Sequence, residues 1–402
     1  MKKMPKLASF DDCMGCMLCA DVCTQHAIVM KEDINGFWMP QIDVTKCVGC
    51  LVCEKKCKTV RTSQLQNLCD IPLRAYNTDD SARISSASGG VFSAIAKHAI
   101  KSRNAIIYGA TLKNNKVYHI GIECIDDIHK LQGSKYIQSD IQGVYREVCK
   151  SLKENRLVVF SGTPCQVQAL NVILSGRDYP NLLTIDLICH GVISNKIFQR
   201  HIEKTKCGEV LAFRDKSLGW GKDIFFRTKK EEEVMVDQDW RRNFFYHVFQ
   251  IETCVRHNCY KCQFCYPQRV SDITIGDYWA DRRSENYDPL GISSVLCNTK
   301  KGKDFIEKCN NLHVETVDWS QTIKPNPRLI TSRPEFLKFS CSRLIGKLYS
   351  ILPSYLADSI VGIWKTKRLL LLWPWLNYIQ RIKQKYESRY QNEVLCNIKL
   401  FN

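Results

Sequence analysis

Apolar and polar positions in the middle of the chain alternate between helix-like and strand-like spacing. Apolar side chains recur at helical spacing over residues 91–99, and the continuous apolar run at 105–109 is typical of a buried strand. The same succession returns in the run at 157–160, in the helical stretch at 164–174 and in the run at 182–188. Strands and helices in alternation predict an α/β domain.

The cysteines near the amino terminus lie in two copies of one motif. Each copy reads C-x2-C-x2-C-x3-C, from Cys13 to Cys23 and from Cys47 to Cys57. An iron cubane needs four soft thiolates close together, and two residues between cysteines let a tight turn direct successive sulfurs at one cluster. In two-cluster modules the fourth cysteine of each run ligates the other cluster. The predicted ligand sets are Cys13, Cys16 and Cys19 with Cys57, and Cys47, Cys50 and Cys53 with Cys23.

Two structural zinc sites are the alternative for these eight cysteines. Zinc sites use paired C-x2-C elements, so a duplicated triple-spaced run favours the iron–sulfur interpretation. The short apolar runs at 27–30 and 38–42 predict two strands that pair within this module.

The remaining patterns divide the chain. Polar residues at 77–88 predict a linker, residues 272–277 predict one more strand, and the sequence after residue 334 predicts amphipathic helices. We therefore predict an α+β two-cluster ferredoxin module (1–70), a linker (71–88), an α/β domain (89–335) and a basic helical tail (336–402).

A second cysteine group has the spacing C-x4-C-x2-C-x2-C. It comprises Cys254, Cys259, Cys262 and Cys265. Four thiolates within this stretch could hold a third 4Fe-4S cluster, or a zinc ion with His257 as a nitrogen ligand, or they could stay free. Because two clusters are predicted upstream, we favour the third cluster.

A Ser-Gly-rich turn precedes the first helix of the α/β domain. Ser88, Gly89 and Gly90 lie where free backbone amides and the helix dipole attract phosphate, and glycine permits close approach. The turn matches neither G-x-G-x-x-G nor the P-loop, so an ordinary nicotinamide fold or an NTPase is not expected. A plain helix cap is the alternative to a pyrophosphate site.

Two more cysteines follow predicted strands. The residues concerned are Thr163, Pro164, Cys165 and Gln166 in one loop, and Cys189 and His190 in the other. Ligands of open α/β sheets collect at the carboxyl ends of strands, so both loops are candidates to line a cofactor pocket. At a helix amino terminus Cys165 would have a favoured thiolate, and His190 could donate a proton. The alternatives are buried small cysteines and a hydrogen-bonded structural histidine.

The formal charge of +17 would suit nucleic acid, an anionic membrane face or acidic partners. The basic tail carries Trp364, Trp373 and Trp375, which suits contact with a membrane surface, whereas a helical lid or docking surface is the alternative. Its apolar run at 369–376 is too short to span a bilayer. No obvious binding motif interleaves aromatic and basic residues, so nucleic acid is not an expected partner. With no export signal and cysteines suited to metal, we expect a cytoplasmic protein, peripheral to the membrane if the tail binds there.

Several of these motifs together resemble one family. They are Ser88-Gly89-Gly90-Val91, the Gly-Thr-Pro-Cys-Gln-Val stretch at 162–167, Cys189-His190-Gly191, and Cys259 to Cys265 with the strand at 272–277. The family is that of the coenzyme F-420 hydrogenase/dehydrogenase beta subunits, which also contains chlorophyll-pathway reductases of plants and cyanobacteria. The resemblance extends over residues 8 to 330.

The resemblance implies FAD bound in the α/β domain, because a flavin exchanges two electrons with a substrate and single electrons with clusters. Ser88, Gly89 and Gly90 would hold the pyrophosphate. Thr163, Pro164, Cys165 and Gln166 would border the ring, and Cys254 to Cys265 would hold the nearest cluster. The candidate catalytic residues are Cys165, Cys189 and His190.

We therefore expect an iron–sulfur flavoprotein oxidoreductase that passes electrons from a reduced ferredoxin-like donor through 4Fe-4S clusters to FAD and an organic substrate. An electron-transfer adapter that serves a partner oxidoreductase is the alternative. A structural or nucleic-acid-binding protein is a third class, favoured by the basic charge and disfavoured by the lack of a binding motif.

Overall fold

The computed structural model describes residues 2–62, 67–217, 219–220, 225–236, 245–246, 249, 255–279 and 287–332. The predicted tail (336–402) and Cys254 lie outside the described residues. No helix within the described ranges is long and apolar enough to cross a membrane.

The amino-terminal module folds as the repeat predicts. Strands β1 (Ile28–Glu32) and β2 (Trp38–Ile42) pair antiparallel, and the helices are α1 (Leu18–Asp21) and α2 (Val52–Thr62). Each helix begins next to the third cysteine of its motif. Equivalent positions before the two helices, Met17 and Leu51, both have a φ of 60°. The repeated sequence therefore forms a repeated turn.

The larger domain is built on one mixed sheet of eight described strands. They are β3 (Leu73–Asn77), β4 (Ile106–Lys113), β5 (Lys116–Ile122), β6 (Val158–Gly162), β7 (Leu182–Leu187), β11 (Ile273–Asp277), β12 (Ser293–Cys297) and β13 (Leu312–Thr316), in the order β13-β3-β12-β11-β7-β6-β4-β5. A smaller antiparallel sheet contains β8 (Glu209–Asp215), β9 (Phe225–Lys230) and β10 (Glu233–Val236). The four strands β4, β6, β7 and β11 run parallel to one another. This confirms the predicted α/β character.

Helices connect and cover these strands. They are α3 (Asp80–Ile84), α4 (Val91–Arg103), α5 (Ile128–Leu131), α6 (Val144–Lys153), α7 (Pro164–Ile173), α8 (Asn195–Thr205), α9 (Lys300–Glu307) and α10 (Trp319–Ile323). Helix α4 packs its apolar face on one side of the sheet, in a core with Ile107 and Val159. On the other side, Phe160 shares a core with α6, α7 and the module residues Met17 and Leu18. Because both faces are covered, the parallel strands have continuous apolar sequences.

The predicted linker at 71–88 differs from the structure. It contains β3, which lies between β12 and β13, and α3, whose N-cap Asp79 accepts hydrogen bonds from the amides of Ser81 and Ala82. The partners of β3 are more than 200 residues away in the sequence, and Arg74 forms an ion pair with Glu315 of β13 at 2.5 Å. The polar residues that suggested a linker therefore form α3 and the turns around it, and the pairing of the strand before them has no local signal.

Ser194 is the N-cap residue of α8, a residue type that often caps helices, but its side chain does not cap this helix. Its hydroxyl donates instead to the backbone carbonyl of Asn35 in the amino-terminal module. The Ser194 hydroxyl therefore makes a contact between domains and not the hydrogen bond to its own helix that an N-cap side chain usually makes.

Candidate metal centre

Four thiols from both cysteine motifs surround one cavity of the module. They are Cys13, Cys16, Cys19 and Cys57. Cys57, the last cysteine of the second motif, reaches the cavity from α2. Burial raises the pKa of the Cys19 thiol, and the neighbouring thiols of Cys13 and Cys57 raise it further. A cavity lined by four thiols fits a 4Fe-4S cubane, which takes one thiolate on each iron.

The second set of module thiols lies nearer the surface. Burial raises the pKa of Cys53, and the thiols of Cys23 and Cys50 raise it further, which places these three together. Cys50 is exposed, Cys47 is buried, and the adjacent Val48 exposes 57% of its surface. This side of the module is open to a partner molecule.

Backbone amides donate to two of the module sulfurs. The amide of Gly15 donates to Cys13 Sγ at 3.4 Å, and that of Ala27 donates to Cys23 Sγ at 3.3 Å. Gly15 has a φ of 66°, and a Cβ there would lie 2.1 Å from Gln138 Nε2. The glycine is therefore needed for the turn and for the close approach of the larger domain. Amide donors favour the charged form of a thiol, which suits a metal ligand.

Arg256 anchors the module on the larger domain. Its side chain is buried and donates to the carbonyls of Cys13 at 3.1 Å and Trp38 at 2.7 Å, and to Gln138 Oε1 at 2.8 Å. Gln138 donates in turn to the carbonyl of Gly15 at 2.6 Å. These hydrogen bonds hold the first cysteine loop against the second cysteine-rich segment.

Helix α6 holds the other side of the same loop. The buried carboxylate of Asp21 accepts from the amides of Gly143 at 2.6 Å and Tyr145 at 3.2 Å, and the Tyr145 hydroxyl donates to the carbonyl of Cys16 at 2.9 Å. Burial raises the pKa of the Cys16 thiol, and the nearby thiols of Cys19 and Cys165 add to the effect. The module cavity is thus adjacent to the loop that follows β6.

Two further thiols follow neighbouring parallel strands. Cys165 is the second residue of α7 after β6, and Cys189 follows β7, whose Asp186 lies opposite Gly162 of β6. Burial raises the pKa of Cys165 to about 12. The prediction that the helix amino terminus favours the thiolate of Cys165 is therefore wrong for the thiol without metal. Loss of solvent around the thiol outweighs the effect of the helix dipole.

Cys165 and Cys189 lie beside thiols of the second cysteine group. Burial raises the pKa of Cys189, and the thiols of Cys259, Cys165 and Cys262 raise it further. Cys262 and Cys259 also neighbour Cys165. A hydrogen bond with Cys265 is the main cause of the raised pKa of Cys262, followed by burial. We call the site formed by Cys165, Cys189, Cys259 and Cys262 the crevice site.

Arg269 ties the second cysteine group to the sheet. It forms an ion pair with Asp186 of β7 at 3.1 Å, and both side chains are buried. It also donates to the carbonyls of Phe264 at 2.8 Å and Leu187 at 2.9 Å. One guanidinium therefore joins the loop that carries Cys262 to the end of the strand that precedes Cys189.

The turn at Ser88, Gly89 and Gly90 packs on β12. The Ser88 hydroxyl donates to the Ile292 carbonyl at 2.6 Å, and the Gly89 amide donates to Ser293 Oγ at 3.0 Å. A Cβ on Gly89 would lie 2.6 Å from the Ala75 carbonyl oxygen. Close packing between strands thus accounts for this glycine, and the Gly89 amide, one of the donors predicted for phosphate, is engaged by the protein.

Hydrogen bonds within the protein also fix the loop after β6. Thr163 and Gln166 form a capping box at the start of α7, and Pro164 is buried in its first turn. Gln166 Nε2 donates to Ser139 Oγ at 2.9 Å, and the Thr163 hydroxyl lies 3.2 Å from Cys165 Sγ. These side chains position the loop that presents Cys165.

His190 lies in aromatic surroundings. Its ring makes an edge contact with Phe249, at 6.5 Å between ring centroids.

Comparisons with known proteins agree with this architecture. Residues 12–60 match the model of the 4Fe-4S dicluster domain, and residues 155–321 match the model of the C terminus of the coenzyme F-420 hydrogenase/dehydrogenase beta subunit. These matches support the resemblance of the chain to the coenzyme F-420 hydrogenase/dehydrogenase beta-subunit family. No curated protein matches it. A chain of the F-420-reducing (NiFe) hydrogenase complex from Methanosarcina barkeri is similar, at 19% identity and a TM-score of 0.45, with 62% of this chain and 83% of that chain covered.

The match to the F-420 hydrogenase/dehydrogenase beta-subunit model confirms the resemblance found in the sequence. The dicluster match spans all eight module cysteines, from Cys13 to Cys57, so the module is an iron–sulfur domain. The second match spans Cys165, Cys189 and the group that ends at Cys265. The chain is an iron–sulfur electron-transfer protein of an oxidoreductase family.

Proposed function

We propose that this chain is an iron–sulfur flavoprotein oxidoreductase that takes electrons from a reduced ferredoxin-like donor and reduces an organic substrate. The observation that carries the proposal is that Cys16 and Cys165 pack against the same apolar core, because this puts the module cavity next to the strand-end crevice. Ligands of α/β sheets collect in such crevices. When bound, clusters carry single electrons and a flavin converts them to two-electron chemistry.

The two cysteine sites of the module differ in their access to solvent. We call the site of Cys13, Cys16, Cys19 and Cys57 the inner site, and the predicted site of Cys23, Cys47, Cys50 and Cys53 the outer site. Cys13 and Cys19, at the inner site, are buried, and this site faces the larger domain through Tyr145. Cys50, at the outer site, is exposed. We therefore propose that the donor docks at the outer site.

The surface around Cys50 suits an acidic electron carrier. Val44, Val48 and Val52 are exposed apolar side chains, and the side chain of Lys46 is 62% exposed. An apolar surface with nearby positive charge supports docking of a partner that carries negative charge, and the charge mainly affects the rate of association.

Changing Lys46 to Glu should slow reduction by an acidic ferredoxin. Because Lys46 is exposed, we expect a reduction of about tenfold in the second-order rate constant at low salt, which high salt should diminish. Stopped-flow absorbance measures the rate. Lys150→Glu is the matched control, since Lys150 is exposed on α6 and pairs with Glu154 at 3.9 Å, as Lys46 pairs with Asp43 at 3.7 Å. Equal rates in the two variants would place the docking surface elsewhere.

The flavin is proposed to lie in the α/β domain with Ser88, Gly89 and Gly90 on one side and the loop from Thr163 to Gln166 on the other. Since Gly89 and Gln166 are engaged by Ser293 and Ser139, their part is to hold these loops in place. His190 is proposed as a proton donor.

Acid treatment of protein purified without oxygen should release a yellow chromophore. We expect about one FAD per chain, identified by chromatography and fluorescence, together with the brown colour of clusters. Protein that carries its clusters but releases no flavin would contradict the flavoprotein proposal. Such protein, if it reduced acceptors only through a partner enzyme, would be an electron-transfer adapter.

A further inference from the structure

The guanidinium of Arg256 lies against the first cysteine motif of the module. A Cβ added to Gly15, between Cys13 and Cys16, would lie 2.7 Å from Arg256 Cζ. The Phe37 ring stacks on the guanidinium, with its centroid 5.2 Å from Cζ, and both side chains are buried. A positive charge is therefore held beside the inner site and away from water.

The polar contacts of this guanidinium within the described part of the chain are all with neutral groups. It donates to the carbonyls of Cys13 and Trp38, to Gln138 Oε1 and to the sulfur of Met39. Its Nε atom is buried and has no hydrogen-bond partner among the described residues. Four neutral acceptors orient the group and leave its charge uncompensated.

The carboxylates nearest to the first motif in the sequence have other partners. Asp11 pairs with His257 and Asp12 pairs with Lys261, each at 2.6 Å. A guanidinium stays protonated in a protein, and an unpaired buried charge is costly. The thiols of the inner site can supply the negative charge, because a bound metal deprotonates its thiol ligands.

Burial by itself would make a cluster at the inner site harder to reduce than one at the outer site. Reduction adds negative charge, which a buried site disfavours, whereas Cys50 of the outer site is exposed to water. A fixed positive charge offsets this difference. The exposed Lys46 has less effect on the outer site, since water and salt screen its charge more strongly than that of Arg256.

We propose that Arg256 is the fixed counter-charge of the inner cluster and keeps its reduction potential above that of the outer cluster, so that electrons run inward. In this step the outer cluster loses one electron and the inner cluster gains it, with no bond broken and no proton moved. The inference rests on the proposed function, which places the donor at the outer site.

A redox titration followed by electron paramagnetic resonance tests the proposal on the full chain. Cys57→Ser and Cys47→Ser each remove one signal and so identify the inner and the outer cluster. In the wild type, the inner cluster should be reduced at the higher potential. In Arg256→Met, reduction of the inner cluster should become about tenfold less favourable, a fall of about 59 mV for one electron, and the outer potential should stay the same. Arg256→Lys keeps the charge and should shift the inner potential less.

Two changes at Gln138 separate the charge of Arg256 from its hydrogen bonds. Gln138→Leu removes hydrogen bonds to the same loop without changing any charge, so the inner potential should stay as in the wild type. Gln138→Glu puts a carboxylate in contact with Arg256 and should lower the inner potential as Arg256→Met does. It also replaces Arg256→Met in the test if that variant fails to fold or to keep its cluster.

Three results would overturn the proposal. The first is an outer cluster that is reduced at the higher potential in the wild type. The second is an unchanged inner potential in Arg256→Met or Gln138→Glu, and the third is a fall in Gln138→Leu as large as in Arg256→Met. Protein that releases no flavin would contradict the proposed function and leave these potentials measurable, so the two failures are distinguishable.

Discussion

Cys57→Ser removes the cluster at the cavity of the first motif, although Cys57 belongs to the second. We expect the iron content to fall by about four per chain, because a cubane that loses a thiolate ligand is not retained. We also expect the rate of electron transfer from a ferredoxin to a terminal acceptor to fall by at least about 100-fold, because the inner site adjoins Cys165. Iron assays and stopped-flow kinetics measure these effects.

Double variants test the crossed ligand sets. Cys13→Ser combined with Cys57→Ser should lose no more iron than either change alone, because both cysteines line one cavity. Cys47→Ser combined with Cys57→Ser should lose about eight irons, because each change removes a different cluster. If Cys47 and Cys57 instead behave as one site, each motif holds its own metal and the crossed arrangement is wrong.

Arg269→Met should destabilise the protein by about 3–5 kcal/mol, because it leaves the buried carboxylate of Asp186 without its charged partner. The change also frees the carbonyls of Phe264 and Leu187, so we expect the loop that carries Cys262 to separate from the end of β7 as well. The midpoint of urea unfolding, measured without oxygen, reports the loss of stability.

Arg156→Met is the control for Arg269→Met. Arg156 is partly exposed and pairs with Glu123 at 3.0 Å, so its loss should cost less than about 1 kcal/mol. The double change Asp186→Leu with Arg269→Met should recover part of the stability, since no unpaired charge remains buried. A single Arg269→Met change that unfolds at the same urea concentration as the wild type would contradict this account.

The sequence by itself determined the iron–sulfur module and the parallel core of the sheet. The spacing within each cysteine motif, from Cys13 to Cys23 and from Cys47 to Cys57, is a local property. The turns that it forms lie within a few residues of the cysteines themselves. The apolar runs that became β6 and β7 were recognisable because a strand covered on both faces needs apolar side chains at every position.

Only the tertiary structure decided which cysteines meet at the crevice. The sequence analysis grouped Cys259 with Cys254 and Cys265 by spacing and assigned Cys165 and Cys189 to catalysis. The sequence placed Cys165 and Cys189 at the carboxyl ends of predicted strands, but no local pattern indicated that Cys259 and Cys262 lie beside them.

Contacts between distant segments also explain why the pairing of β3 and the hydrogen bond of Ser194 were not visible in the sequence. Their partners, β12, β13 and Asn35, are distant in the sequence, and a hydrogen bond between distant segments leaves no periodic pattern near either end. Spacing along the chain therefore revealed the contacts made within one turn or one strand. Pairing between distant segments depends on how the whole chain buries its apolar surface, and it became visible only in the fold.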